Sequence, residues 1–214
     1  MKNKAVLFDL DGVLVDTAKY HYLAWKKLAT ELGIPFTETD NERLKGVSRD
    51  KSLEILLSLG ETSYSEEEKA TMATQKNKEY IQYINHMDET AVLPGVLLLL
   101  KQLNIEQIKI GLGSASKNAR LILERTALEP FFDAIIDGNA VTHAKPDPEV
   151  FLKGAQKLGI KNEDTVVFED SEAGCQAGKA AGMYVVGIGE PENLPSADRV
   201  VKDLKGFTVD TIFG

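Results

Sequence analysis

Apolar runs that stop abruptly at polar clusters recur along this chain. Ala5–Phe8 runs into Asp9, and Ile108–Leu112 into Gly113-Ser114-Ala115-Ser116. Thr165–Phe168 runs into Glu169-Asp170-Ser171, and Tyr184–Ile188 into Gly189-Glu190-Pro191. Such short β-rich runs have the length of buried strands, and helical segments separate them. The alternation predicts βαβ units in an α/β, Rossmann-like, doubly wound parallel sheet. In open sheets of this kind ligands bind beyond the carboxyl ends of the strands, where these polar clusters stand. Cap signals mark the helices between them. Ser116 predicts the start of a helix to about Thr126, and Asp147-Pro148-Glu149 the start of one over Val150–Leu158, closed by Gly159. Ser171 predicts the cap of a further helix ending near Gly182.

From about Thr17 to Asp88 strand-like runs disappear. His21, Trp25, Leu28 and Leu32 fall at i, i+4, i+7 and i+11, one face of a helix. Asp50 predicts a cap for Ser52–Leu59, and Ser65 with Glu68 has the spacing of a capping box opening a long helix toward Ile84. Sheet texture resumes after Leu93-Pro94-Gly95. The expected organisation is an α/β core from residues 1–16 and 89–214, with an all-helical unit, residues 17–88, inserted after the first strand. The linkers are Val15–Ala18 and Glu89–Leu93.

Composition narrows the function without choosing it. The 214 residues suffice for one large domain with a substantial insert, and 43% hydrophobic with 27% charged content is ordinary for a globular core. The 33 acidic and 25 basic residues leave a net charge of −8, which argues against a nucleic-acid surface but not against small anionic substrates. Cys175 is the single cysteine, so an internal disulfide and a cysteine zinc cluster are excluded, and a small core residue is expected. The first apolar run is cut by Asp9 and Asp11, unlike a secretory leader, and Val96–Leu100 is too short to span a membrane. The expectation is a cytoplasmic, monomeric protein with small-molecule partners and neither a nucleic acid nor a membrane to bind.

Asp9 and Asp11 stand two apart at a strand end, so both carboxylates point to one side. Two like charges that close need a cation or a shared proton. The plain alternative is a tight hairpin turn at Asp11-Gly12 with Asp9 a solvated terminus. Three further pieces sit at later strand ends or loops: Ser114 and Ser116, Lys145 before Pro146, and Glu169-Asp170. Clustered carboxylates, completed by water and phosphate oxygens, match the hard donors that Mg²⁺ takes in small number from protein. Carboxylates also attack phosphorus, and Asp11 beside Asp9 can move a proton. Ser114 and the amides after it suit an anion, and Lys145 adds a fixed cation. Seen alone, each has a bland reading: a helix cap, a surface lysine, a helix start. Their order and shared placement favour phosphoryl chemistry.

Asp9-Leu10-Asp11-Gly12-Val13, Ser114, Lys145-Pro146 and Glu169-Asp170 together resemble the haloacid dehalogenase superfamily across essentially the whole chain, and the insert resembles its helical cap domain. The resemblance implies Asp9 as nucleophile and Asp11 as general acid/base. It implies Mg²⁺ held by the Asp9 and Asp170 side chains and the Asp11 carbonyl, supported by Glu169, with Ser114 and Lys145 on the transferring phosphoryl group. Leu44-Lys45-Gly46-Val47-Ser48-Arg49, Ser114 to Asn118, and Asp16 to His21 leading to Trp25 are similar to sugar-phosphate mutases of the superfamily. That similarity implies Arg49 as a clamp on the non-transferring phosphate and His21 as the residue orienting Asp11. Gly46, Val47, Ser116, Lys117 and Asn118 would contact sugar or phosphate, and Thr17, Trp25, Lys45, Ser52, Lys76 and Ala115 complete the implied substrate set. Bland readings exist here too: Gly46 as a helix-ending glycine, His21 as a core histidine, Lys45 and Arg49 as a solvated face. The implied reaction is reversible conversion of β-D-glucose 1-phosphate to glucose 6-phosphate through an aspartyl-phosphate, with β-glucose 1,6-bisphosphate as intermediate and primer. The rivals are a sugar-phosphate phosphatase, which shares the catalytic residues, and a signalling receiver phosphorylated on aspartate, which lacks the insert.

Overall fold

In the computed structural model, which describes residues 4–213, Ala5–Phe8 (β1) lies inside a six-stranded sheet. The other strands are β2 (Lys109–Gly113), β3 (Ala134–Ile136), β4 (Thr165–Glu169), β5 (Tyr184–Ile188) and β6 (Arg199–Val201), in the order β3-β2-β1-β4-β5-β6. Every pairing is parallel, and Phe8 stands opposite Leu112 on one side and Phe168 on the other. The hairpin alternative for Asp11-Gly12 is therefore overturned, because both edges of β1 are taken by parallel partners. The chain instead turns within its own next residues: Gly12, at φ +80, donates to the Val15 carbonyl, and Val15 donates to that of Leu10.

Period-two alternation divides the core between the two faces of the sheet. Val6, Phe8, Ile110, Leu112 and Phe168 face α5 (Val96–Ile105), α6 (Ala119–Arg125) and α9 (Val209–Phe213). Leu7, Val167 and Val185 face α7 (Glu149–Leu158) and α8 (Glu172–Ala180). Glycine at 113 lets α7 approach, since a Cβ there would lie 2.8 Å from the Phe151 ring. Cys175 is a buried member of this second face, the small core residue expected of it.

Between β1 and α5 the insert contributes four helices: α1 (Ala18–Glu31), α2 (Glu38–Glu42), α3 (Arg49–Leu57) and α4 (Glu66–Ile84). Trp25, Leu28, Phe36, Leu53 and Leu56 form their own apolar cluster. Ala24, Tyr80 and Ile84 instead join the core on the sheet's first face, so the insert is seated on it rather than tethered beside it. The two connecting segments run side by side: Asp16 donates to the Ala91 carbonyl and Leu93 to that of Leu14, both at 2.9 Å.

The capping box at Ser65 and Glu68 is formed in both directions, and Ser171 accepts from Gly174. Two boundaries differ from expectation. Helix α3 is capped by Ser48, whose Oγ accepts from the Lys51 amide at 3.2 Å, so Asp50 lies inside its first turn. The chain turns at Gly46, at φ +72, and Ser48, two residues on, is extended and takes the cap position first. Helix α6 begins after Asn118, because the Ser116 hydroxyl closes a turn on the Asn118 amide ahead of the helix. No helix among the described residues is long and apolar enough to cross a membrane.

Candidate active site

The carboxyl ends of β1, β2 and β4 bring Asp9, Ser114 and Glu169 to one place, and the loop between β3 and α7 adds Lys145. Lys145 Nζ lies 2.6 Å from Asp9 Oδ1 and 3.0 Å from the Gly113 carbonyl, and it also donates to Glu169 Oε1. The second oxygen of Glu169 accepts from the amides of Asp170 and Ser171, each at 3.0 Å, and from the Ser171 hydroxyl at 2.9 Å. Ser114 is buried, and its Oγ accepts from the Ser116 amide at 3.1 Å.

Negative charge exceeds positive charge in this nest. Burial pushes the Asp9 carboxyl up to about 7, eased by Lys145 and reinforced by Glu169 and Asp11. Burial also lifts Asp170 well above the usual carboxylate range, with Glu169 and Asp9 adding repulsion. Oxygens of Asp9, Glu169 and Asp170 all lie within 4.8 Å of one another. Hard donors crowded around one point, with a single buried lysine to offset them, suit a small divalent cation.

A second relay faces this nest from the insert. Asp11 Oδ1 accepts from the Thr17 hydroxyl, and His21 Nε2 stands 3.8 Å from the same oxygen. Burial works to raise the Asp11 carboxyl, but His21 and Thr17 outweigh it and hold the group below its ordinary value. Lys76 Nζ lies 3.1 Å from His21 Nδ1 and sits over the rings of Trp25 and Tyr80, 4.5 and 4.6 Å from their centroids. A charged Lys76 can only donate to Nδ1, an arrangement that would leave the ring proton of His21 on Nε2, the nitrogen nearer Asp11. Burial and then the Arg49 charge drive Lys76 down to about 7.

Core and insert meet around a cavity. Asn118 donates to Asn77 at 2.9 Å, Lys45 Nζ lies 4.0 Å from Asp170 Oδ2, and a Cβ at Gly46 would collide with the Ser171 hydroxyl. The wall brings together Asp9, Asp11, His21, Trp25, Lys45, Gly46, Val47, Arg49, Ser52, Lys76, Ala115, Ser116, Lys117, Asn118 and Asp170. Ser114 and Lys145 open instead into an adjoining depression that shares Ala115 and Lys117. Thr17 and Glu169 are fully buried and reach the site through Asp11 and through Lys145. The wall also holds Asn41, Leu44, Asn77 and Tyr80, which sequence reasoning missed. Helical spacing carried a signal for one of them, since Tyr80 lies one turn after Lys76 on α4 and shares its face.

The chain is similar to known proteins along nearly its whole length. The family model described as haloacid dehalogenase-like hydrolase matches residues 6–188. The chain is 46% identical over 211 residues to the β-phosphoglucomutase of Bacillus subtilis, covering 98% of this chain and 93% of that protein. It is 33% identical to a phosphorylated carbohydrates phosphatase of Thermotoga maritima, covering 84% and 82%. The crystal structure of β-phosphoglucomutase from Clostridium difficile superimposes with a TM-score of 0.94 at 42% identity, covering 98% of this chain and 95% of that one.

Proposed function

The chain belongs to the haloacid dehalogenase-like hydrolase family, and on that premise we propose that it acts as a β-phosphoglucomutase. It converts β-D-glucose 1-phosphate reversibly to glucose 6-phosphate. The observation that carries this reading is the composition of the cavity wall, where strand-end acids of the core face Arg49 and Lys76 of the insert. A hydrolase needs only the first group, whereas a mutase must hold a second phosphate while the first reacts. The insert, residues 17–88, serves as the cap that supplies that hold.

Asp9 is the nucleophile that takes the phosphoryl group, oriented and partly neutralised by Lys145 at 2.6 Å. Ser114 and Lys145 hold the transferring oxygens. Mg²⁺ fits the carboxylates crowded within 4.8 Å: Asp9 and Asp170 would hold it through side chains, Asp11 through its carbonyl, with Glu169 in support. Bound there, it supplies positive charge that offsets both the acids and the incoming phosphate. Asp11 takes a proton from the attacking sugar hydroxyl and returns it in the reverse half, kept in line by Thr17 and His21. Arg49 clamps whichever phosphate of β-glucose 1,6-bisphosphate is not reacting. Contacts of Asn77 with Asn118 and of Gly46 with Ser171 close the cap on the core, which keeps water from the aspartyl-phosphate.

Mixing the enzyme with β-glucose 1,6-bisphosphate in a single turnover tests the scheme. Both monophosphates should appear together with a phosphorylated Asp9, and Asp9→Asn should give neither. A single monophosphate with inorganic phosphate and no phosphoryl-enzyme would contradict it.

A further inference from the structure

Two buried polar atoms belonging to cavity-wall residues make no hydrogen bond among the described residues. Asn41, on α2, is 8% exposed and Tyr80, on α4, is 1% exposed. Asn41 Oδ1 and the Tyr80 hydroxyl are both buried without a hydrogen-bond partner among the described residues, and both residues line the cavity. Gln102 Oε1 shares that condition but lies on α5, away from this wall. Buried polar atoms are nearly always paired. Two orphans from different helices on one wall therefore call for a partner that enters the cavity.

The chemistry of the atoms restricts that partner. Asn41 Oδ1 only accepts, so it matches a hydroxyl or amine proton and repels a phosphate oxygen. The Tyr80 hydroxyl both donates and accepts; it faces Thr17 and Asp11 but bonds neither within hydrogen-bond geometry, which leaves it open to a ligand hydroxyl. Arg49 and Lys76 on the same wall already offer the positive charge a phosphate needs. Trp25 and Leu44 supply an apolar surface beside the orphans, suited to the C–H face of a ring. A ring carrying several hydroxyls meets all of these demands at once.

We propose that Asn41 and Tyr80 are sugar-specificity residues: Asn41 Oδ1 accepts from one ring hydroxyl of the bound sugar phosphate, and the Tyr80 hydroxyl bonds a second. The cap then selects the sugar as well as holding the distal phosphate. This rests on the mutase reading of the cavity.

The test uses Asn41→Leu and Tyr80→Phe, which keep side-chain bulk and remove the polar atoms. Steady-state kinetics are measured with β-D-glucose 1-phosphate and with its 2-, 3- and 4-deoxy analogues, alongside Tm. Each variant should lose about tenfold to a hundredfold in kcat/KM on the parent sugar. Its Tm should hold or rise, because an unpaired buried atom has been removed. For each variant, one deoxy analogue that the wild type handles poorly should become no worse than the parent sugar, which identifies the hydroxyl. A kcat/KM within about twofold of wild type overturns the proposal, as does a uniform loss across all analogues with a lowered Tm. If the wild type does not convert β-D-glucose 1-phosphate at all, the mutase reading itself fails and takes this inference with it.

Discussion

A lysine enclosed by two aromatic rings and a neighbouring arginine holds its charge at a cost, and Lys76 is such a residue. Its ordinary value of 10.5 falls to about 7 through burial first and Arg49 second. Between those values the unfolded lysine keeps a proton that the folded one has lost, so stability rises with pH across that window. Lys76→Met should therefore be more stable than wild type at about pH 6, and the margin should shrink as pH climbs above 7. Urea unfolding of both proteins at several pH values measures this, and a margin independent of pH would contradict it. The same charge becomes useful when a phosphate arrives beside it. Under the proposed function Arg49 shares that task from the first turn of α3. Arg49→Ala should lower mutase turnover by about a hundredfold or more, the usual cost of removing one partner of an enclosed charge pair. Phosphorylation of Asp9 by acetyl phosphate, which carries one phosphate, should suffer far less. Equal losses in both assays would remove Arg49 from the clamp.

Between α2 and α3, the Lys45–Val47 segment reaches the core at Gly46. Gly46 holds φ +72, and a Cβ would strike Ser171, the cap of α8 and a partner of Glu169. Gly46→Ala should cost about 1–2 kcal/mol in left-handed backbone strain and obstruct seating of the cap. Mutase kcat/KM should drop by more than about tenfold, while Tm falls by only a few degrees; an unaffected mutase would show that this contact is not part of closure. The elements that present these loops differed in how far they were legible beforehand. β1, β2, β4 and β5 announced themselves because strands buried on both faces are continuous apolar runs. β3 and β6 did not, being three-residue edge strands that are only partly covered. Helix α5 was passed over because its leucines have little polar alternation, with Leu97 and Leu98 exposed among buried neighbours. Asp9, Asp11, Ser114, Lys145 and Asp170 were legible because strand ends convert order along the chain into proximity. Asn41 and Tyr80 were not, because a polar residue on an amphipathic helix looks the same whether its face meets water or a cavity.

The whole molecule joins two devices that neither sequence neighbourhood contains alone. The sheet supplies the Asp9 carboxylate, the proposed nucleophile, with a lysine in contact, and the insert supplies cations and the proposed closing surface. The two connecting segments hydrogen-bond to one another, so the insert leaves and re-enters the core at a single point. A closing unit joined at one place can open without disturbing the sheet, which suits a cycle that must admit sugar phosphate and exclude water by turns. Where the phosphoryl group goes from Asp9 is thus decided by the assembly. The most direct test supplies pure β-D-glucose 1-phosphate with Mg²⁺ and a trace of β-glucose 1,6-bisphosphate, and follows products by phosphorus NMR. Glucose 6-phosphate should accumulate with little inorganic phosphate; free glucose and inorganic phosphate as the sole products would contradict the account.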